Sequence, residues 1–166
     1  MILEYTYLST PIGNLLLAGH NEVLHYLGFP KGSMAMTPEP NWQLNHEAFT
    51  SVKQQLQEYF DGKRRDFNLS LSPQGTEFQR QVWQQLQTIP YGKTCSYGDL
   101  AKAIERPKAV RAVGAANGQN PIPVIIPCHR VIGSNGKLTG FGGGLDVKEQ
   151  LLRLEGIEVR GQMKLI

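Results

Sequence analysis

The order of apolar and polar positions divides the chain into two stretches with different periods. Up to about residue 71 the dominant repeat is two. Ile2-Leu3-Glu4-Tyr5-Thr6-Tyr7, Asn14-Leu15-Leu16-Leu17-Ala18 and Val23-Leu24-His25-Tyr26-Leu27 read as three strands of an antiparallel meander, the first two separated by the turn Pro11-Ile12-Gly13. Residues 30–41, rich in Pro, Met and Gly, read as a loop. Phe49, Val52, Leu56, Tyr59 and Phe60 then recur at helical spacing and stop at Asp61-Gly62. Phe67, Leu69 and Leu71 alternate as a further short strand, and Ser72-Pro73-Gln74-Gly75 has the composition of a linker. The methionines and aromatics of this half read as core, with no catalytic constellation among them.

From residue 76 the period becomes helical. Thr76 with Gln79 makes a capping box, and Phe78, Val82, Trp83, Leu86 and Ile89 form one face, closed by Pro90-Tyr91-Gly92. Ser96 with Asp99 starts a second helix carrying Leu100, Ala101 and Ile104. Pro107 fits the first position of a third, which continues through Lys108–Asn117 and stops at Gly118. Two short helices across a tight Glu105-Arg106 connection have helix-turn-helix proportions. On the third helix Ala109, Ala112, Gly114, Ala115 and Ala116 are small, and Arg111 is the one long side chain among them. Such a face suits close approach along a narrow minor groove with a guanidinium reaching into the base stack. A helix kept small for packing, with Arg111 in solvent, would look the same. Asp146 and Glu149 open a last helix with Val147, Leu151 and Leu154 buried, stopped at Gly156. The pattern predicts an α+β chain of two domains, 1–72 and 73–166.

The candidate chemistry lies in Ile122-Pro123-Val124-Ile125-Ile126-Pro127-Cys128-His129-Arg130. The β-branched run reads as a buried strand that Pro127 must end, placing a thiol and an imidazole at the tip of a rigid element. His129 could keep Cys128 as the attacking thiolate. Neighbouring side chains on an extended backbone face opposite ways, so the pair needs a turn or a bridging water. A core thiol beside a surface histidine is the competing reading. Glu149 is either a carboxylate complementing its helix dipole or the group that orients a histidine.

Composition narrows the setting. A chain of 166 residues, 40% hydrophobic and 19% charged, is ordinary for a globular protein. No apolar run approaches the roughly 18 residues a membrane span needs, and the first residues lack a signal-peptide pattern. Two cysteines, Cys95 and Cys128, make no secreted disulfide framework, so a cytoplasmic location is expected, with Cys95 as core. The histidines at 20, 25, 46 and 129 have no metal-ligand spacing with them, so neither metal nor cofactor is expected. The net charge of +3 hides an asymmetry. Residues 1–75 hold five Lys/Arg against seven Asp/Glu, and residues 76–166 hold twelve against seven. A basic half carrying the thiol suggests a polyanionic partner.

Pro127-Cys128-His129-Arg130-Val131, with Arg111-Ala112-Val113-Gly114, Asn120-Pro121-Ile122-Pro123, Gly143-Gly144-Leu145 and Lys148-Glu149, resembles the O6-alkylguanine-DNA alkyltransferase family across about residues 76–157. The resemblance implies a ribonuclease H-like amino-terminal domain and a winged-helix-like carboxy-terminal one. It implies irreversible transfer of an alkyl group from O6 of guanine, and from O4 of thymine, in double-stranded DNA to Cys128 after base flipping. On this resemblance His129 acts through a water, Glu149 orients its imidazole, and Asn120 holds the turn before the active-site loop. Tyr97 rotates the target phosphate and hydrogen-bonds the base, and Arg111 fills the vacated stack. Ser96, Ala109, Ala112, Gly114 and Ser134 contact DNA from the minor groove, with the protein a monomer. Pro123, Val131, Phe141, Gly142 and Gly143 line the alkylguanine pocket, whose glycine floor should admit groups as large as benzyl. Phe141 and Gly142 stand where some members have hydroxyl side chains, and the cysteines of the amino-terminal zinc site found in some members are missing. Two other classes are a lesion sensor with Cys128 as a switch and a Cys-His-Glu hydrolase.

Overall fold

The computed structural model describes residues 1–136 and 138–159; the end of the second expected domain, 160–166, lies outside them. The amino-terminal meander forms as its alternation predicts. Strands β1 (Glu4–Thr10), β2 (Gly13–His20) and β3 (Val23–Gly28) pair antiparallel, and a two-residue β4 (Gln43–Leu44) adds parallel to β1, giving the order β3-β2-β1-β4. Between β2 and β3, Asn21 and Glu22 both take positive φ, 51° and 62°, which a tight two-residue hairpin turn requires. Glu22 also reaches the start of helix α1 (Thr50–Phe60), where its Oε2 accepts the Phe49 N–H at 2.9 Å. That bond meets one of the orphan donors of the helix without a Ser or Thr cap. Val52, Leu56 and Tyr59 are the buried face of α1.

The alternation at Phe67–Leu71 yields one bridge rather than a strand. Leu71 meets Leu24 in parallel, with Leu24 N–H donating to Ser70 O at 3.0 Å and Ser72 N–H to Leu24 O at 2.8 Å. Pro73 follows, with no N–H to extend the ladder.

Both capping boxes are present. Thr76 caps α2 (Glu77–Leu86) with Gln79, and Ser96 caps α3 (Tyr97–Ala103) with Asp99. Helix α4 (Val110–Gly118) starts three residues later than the sequence suggests. Pro107 and Lys108 are instead the centre of a turn closed by Ala109 N–H to Arg106 O at 2.9 Å, a place where the fixed φ of proline fits equally well. Helices α2, α3 and α4 pack on one another, and Trp83 Nε1 donates to Ala116 O at 2.8 Å between α2 and α4. Strands β5 (Cys95–Ser96) and β6 (Val131–Ile132) form a two-residue parallel pair, and α5 (Leu145–Leu154) closes the domain. Cys95, expected in the core, is half-buried.

Both halves contribute to one hydrophobic core, in which Leu24, Phe29, Tyr59, Trp83, Val113, Ile126 and Leu151 belong to the same cluster. Each such side chain removed from water is worth about 1.5–3 kcal/mol, so the two domains are held against each other as well as folded. Leu27 N–H donates to Pro121 O at 2.8 Å across that contact. No described helix is long and apolar enough to cross a membrane.

Candidate active site

The run before the thiol is buried throughout but is not a strand. Prolines at 121, 123 and 127 remove three ladder donors, so β-branched character cannot be used for pairing. The chain instead coils on itself. Ile126 N–H donates to Ile122 O at 2.9 Å, and Val124 takes φ 74°, a conformation that costs a β-branched residue about 1–3 kcal/mol. Asn120 holds the coil from inside. Its Nδ2 donates to Ile126 O at 2.8 Å while its Oδ1 accepts Ile122 N–H at 3.0 Å. The amide thus bridges both ends of the segment that carries Cys128.

Cys128–Arg130 form a single 3-10 turn. The turn separates the two reactive side chains. Cys128 faces a small cavity with Pro123 and Phe141, whereas His129 is wholly buried and its Nε2 meets Glu155 Oε2 at 2.6 Å. Nδ1 of His129 has no hydrogen-bond partner among the described residues. Glu155 is the most heavily bonded carboxylate of the site. Its oxygens also accept from Tyr59 Oη at 2.5 Å, Arg130 Nε at 2.8 Å, Arg130 Nη2 at 3.1 Å and Gly92 N–H at 3.1 Å.

Glu149 is therefore not the residue that orients His129. It pairs with Arg153 one turn along α5 at 3.2 Å, with its own side chain largely buried. The carboxylate six residues later does the orienting.

The charges sort accordingly. Burial pushes the Glu155 carboxyl up, but hydrogen bonds from His129, Arg130 and Tyr59 prevail and hold it down at about 2. Burial lowers His129 below the usual histidine range despite that carboxylate, so the imidazole is neutral at pH 7. With a permanent anion at Nε2, the proton sits on Nε2 and Nδ1 keeps its lone pair. Burial pushes the Cys128 thiol up to about 11, against the pull of the Asn120 amide and the Lys148 ammonium. Lys148 is itself buried, donates to Val131 O at 2.7 Å, and is brought down by burial to about 8. The resting protein thus holds a thiol, with a cation and a lone pair set to favour its loss of a proton.

A cleft of about 450 Å³ opens outside this centre, lined by Ser33, Tyr97, Val110, Arg111, Gly114 and Phe141 among others. Arg111, Ala112 and Ala115 are exposed, while Val113, Ala116 and Asn117 face the core. Ala109 and Gly114 are half-buried, and Gly114 faces the Tyr97 ring. The phenol of Tyr97 hydrogen-bonds Thr139, and burial keeps it protonated by raising its pKa. The Ser96 hydroxyl oxygen is committed to its helix cap, and Ser134 lies exposed on the turn after β6.

The cavity at Cys128 shares Gly118, Gly140, Phe141 and Gly142 with the cleft and has a free volume of about 10 Å³, room for roughly one water-sized group. Pro123, Phe141 and Gly142 line it as expected, but Gly143 and Val131 do not. A Cβ on Gly143 would stand 3.0 Å from the Phe29 ring. This glycine lets the loop close on the amino-terminal domain and is no floor for an alkyl group. Among the described residues no cluster of three or more His, Cys, Asp or Glu could hold a metal ion.

Four residues of the centre escaped the sequence, and two had left signals there. Glu155 stands at the end of a helix, where a carboxylate opposes the dipole, and Lys148 occupies an apolar position three and four residues before Leu151 and Leu152. Arg130 and Tyr59 carried no comparable mark.

Residues 3–73 match the family model described as the ribonuclease-like domain of 6-O-methylguanine DNA methyltransferase, and residues 77–157 match the model of its DNA binding domain. A methylated-DNA–protein-cysteine methyltransferase of Methanosarcina acetivorans is 53% identical over 92% of this chain and 97% of its own length. One from Mycolicibacterium paratuberculosis is 51% identical over 93% of each. The crystal structure of Mycobacterium tuberculosis OGT in complex with DNA superposes with a TM-score of 0.87 at 49% identity, covering 92% of both chains.

Proposed function

Because the chain belongs to the 6-O-methylguanine DNA methyltransferase family, we propose that Cys128 is the acceptor through which it reverses alkylation damage in DNA. The activity is a direct repair, in which the alkyl group leaves the base for a protein cysteine in one irreversible transfer. The observation that carries the assignment is the His129–Glu155 contact at 2.6 Å, with Nδ1 of the same ring unpartnered among the described residues.

The target guanine swings out of the duplex into the cleft, since its O6 cannot be attacked in line inside the stack. The exposed face of α4, with the small Ala112 and Ala115 beside Val110 and Arg111, enters the minor groove, Ala109 and Gly114 lie beside it, and Arg111 fills the gap left by the extruded base. Ser96 and Ser134 contact the phosphates from either side, and the protein acts as a monomer. Tyr97 stays a hydrogen-bond donor because its phenol stays protonated, and it turns from Thr139 to the base.

For transfer, the Cys128 proton passes through a water to Nδ1 of His129, whose developing charge is met by Glu155. The thiolate attacks the alkyl carbon, forming the S–C bond as the C–O6 bond breaks. That electron pair stays on the guanine, which takes up a proton and returns to its ordinary keto form. Lys148 stabilises the thiolate while it exists. The same attack applies to O4-alkylthymine.

Incubating the protein with O6-methylguanine duplex and weighing it intact tests the reading. One methyl group gained per protein, located on Cys128 and lost in Cys128→Ala, supports it. Lesion binding without mass gain makes the protein a sensor, and repeated turnover makes it a hydrolase.

A further inference from the structure

The far wall of the thiol cavity comes from the other domain. Residues 29–36 turn back on themselves, with Met36 N–H donating to Phe29 O at 3.1 Å and Ala35 N–H to Gly32 O at 3.1 Å. This turn lies against the loop after Thr139. Met34 N–H donates to Gly142 O at 3.0 Å. The approach leaves no room for side chains at either glycine. A Cβ on Gly32 would meet Gly142 O at 2.2 Å, and one on Gly142 would meet Met34 Cβ and Cγ at 2.6 Å. Beside them the Phe29 and Phe141 rings pack 5.6 Å apart. Phe29 and Met34 thereby line the cavity opposite Asn120, Pro123 and Cys128.

The two wall residues differ in what they can do. Phe29 is held in the core and is 2% exposed. Met34 is half-buried and sits at the junction between the thiol cavity and the Gly142 backbone. An unbranched thioether with three rotatable bonds is the side chain that yields most readily when volume is added. A free volume of about 10 Å³ leaves room for roughly one small group, so a larger alkyl group must extend toward the cleft or press on a wall. The Asn120 bonds and three prolines fix one side, and the Phe29–Phe141 contact fixes another.

We propose that Met34, a residue of the amino-terminal domain, sets the size of alkyl group that Cys128 accepts. The proposal rests on the alkyl-transfer reading above and adds to it a specificity-determining position outside the DNA-binding domain. Its main chain anchors the loop, so a change of side chain alters the cavity and keeps the Gly142 contact.

Two rates are compared in wild type, Met34→Ala, Met34→Leu and Met34→Phe: single-turnover transfer from O6-methylguanine duplex and inactivation by free O6-benzylguanine. The readout is their ratio, which cancels losses common to both. Met34→Ala should raise the benzyl-to-methyl ratio about 10-fold or more, the scale on which hydrophobic pockets discriminate by size. Met34→Leu should leave the ratio near wild type, and Met34→Phe should lower it. A ratio that stays constant across the series overturns the proposal. A wild type that takes no methyl group refutes the transfer reading itself, which separates the two failures.

Discussion

Tyr59 donates its phenolic hydrogen to the same Glu155 oxygen, Oε2, that accepts from His129, at 2.5 Å and 2.6 Å respectively. A helix of the amino-terminal half is thus hydrogen-bonded to the carboxylate that governs the proton at the His129 imidazole. Burial first, and then the carboxylate itself, raises the Tyr59 pKa, so the phenol remains a donor at any working pH.

Replacing Tyr59 with Phe removes one charge-assisted bond from a buried carboxylate, and stability should fall by about 1.5–3 kcal/mol. Glu155 then protonates more readily. The acid limb of the transfer-rate profile should move to higher pH in single-turnover measurements. An unmoved limb with lowered stability would make Tyr59 a packing residue only.

The two candidate carboxylates separate cleanly. Glu155→Gln removes the anion behind His129, and methyl transfer should slow about 10²–10⁴-fold, the usual worth of general base catalysis. Glu149→Gln should transfer at nearly the wild-type rate, since the carboxylate at the His129 ring is Glu155 and not Glu149. Equal losses in the two variants would contradict the geometry.

Acid should unfold the protein in two stages. His129 is lowered from 6.5 and Glu155 from 4.5 to about 2. Both groups therefore bind fewer protons folded than unfolded, and stability rises with pH over their titrations. The contribution of this pair should be full above about pH 6.5, decline as the unfolded chain gains the histidine proton, and decline again from about 4.5 towards 2. The Glu155 shift alone corresponds to on the order of 3 kcal/mol. Urea midpoints measured from pH 8 to pH 3 check this, and a midpoint independent of pH would be inconsistent with the buried pair.

Arg111 is exposed on α4 at the edge of the cleft. Arg111→Ala should slow repair of duplex lesions about 10–100-fold, the equivalent of the few kcal/mol that extrusion costs. Reaction with free O6-benzylguanine should change little, because no base needs replacing. Equal slowing of both would assign the arginine a structural role.

The sequence carried much of this organisation, for identifiable reasons. The meander, the two capping boxes and the helix faces are local patterns, and period two or 3.6 reports them directly. Ile122–Ile126 misled because β-branched burial signals a strand only when backbone donors are free to pair, and three prolines removed them. Glu149, a carboxylate in a first helical turn, is the kind of group a local pattern brings forward, whereas Glu155 at a helix end makes sense only once Arg130, Tyr59 and His129 surround it. Gly143 looked like open space, yet its missing side chain is answered by Phe29, a residue more than a hundred positions earlier. Contacts of that range have no period to report them.

The same long range bears on how the protein is made. Glu155 is separated from Tyr59 by 96 positions, from Gly92 by 63 and from His129 by 26. A chain emerging from the ribosome folds its amino-terminal part first, and until residue 155 is synthesised His129 has no anion behind it. On the proposed mechanism the nascent chain therefore carries Cys128 in an unarmed state, and competence arrives late, when Glu155 reaches Tyr59 and His129.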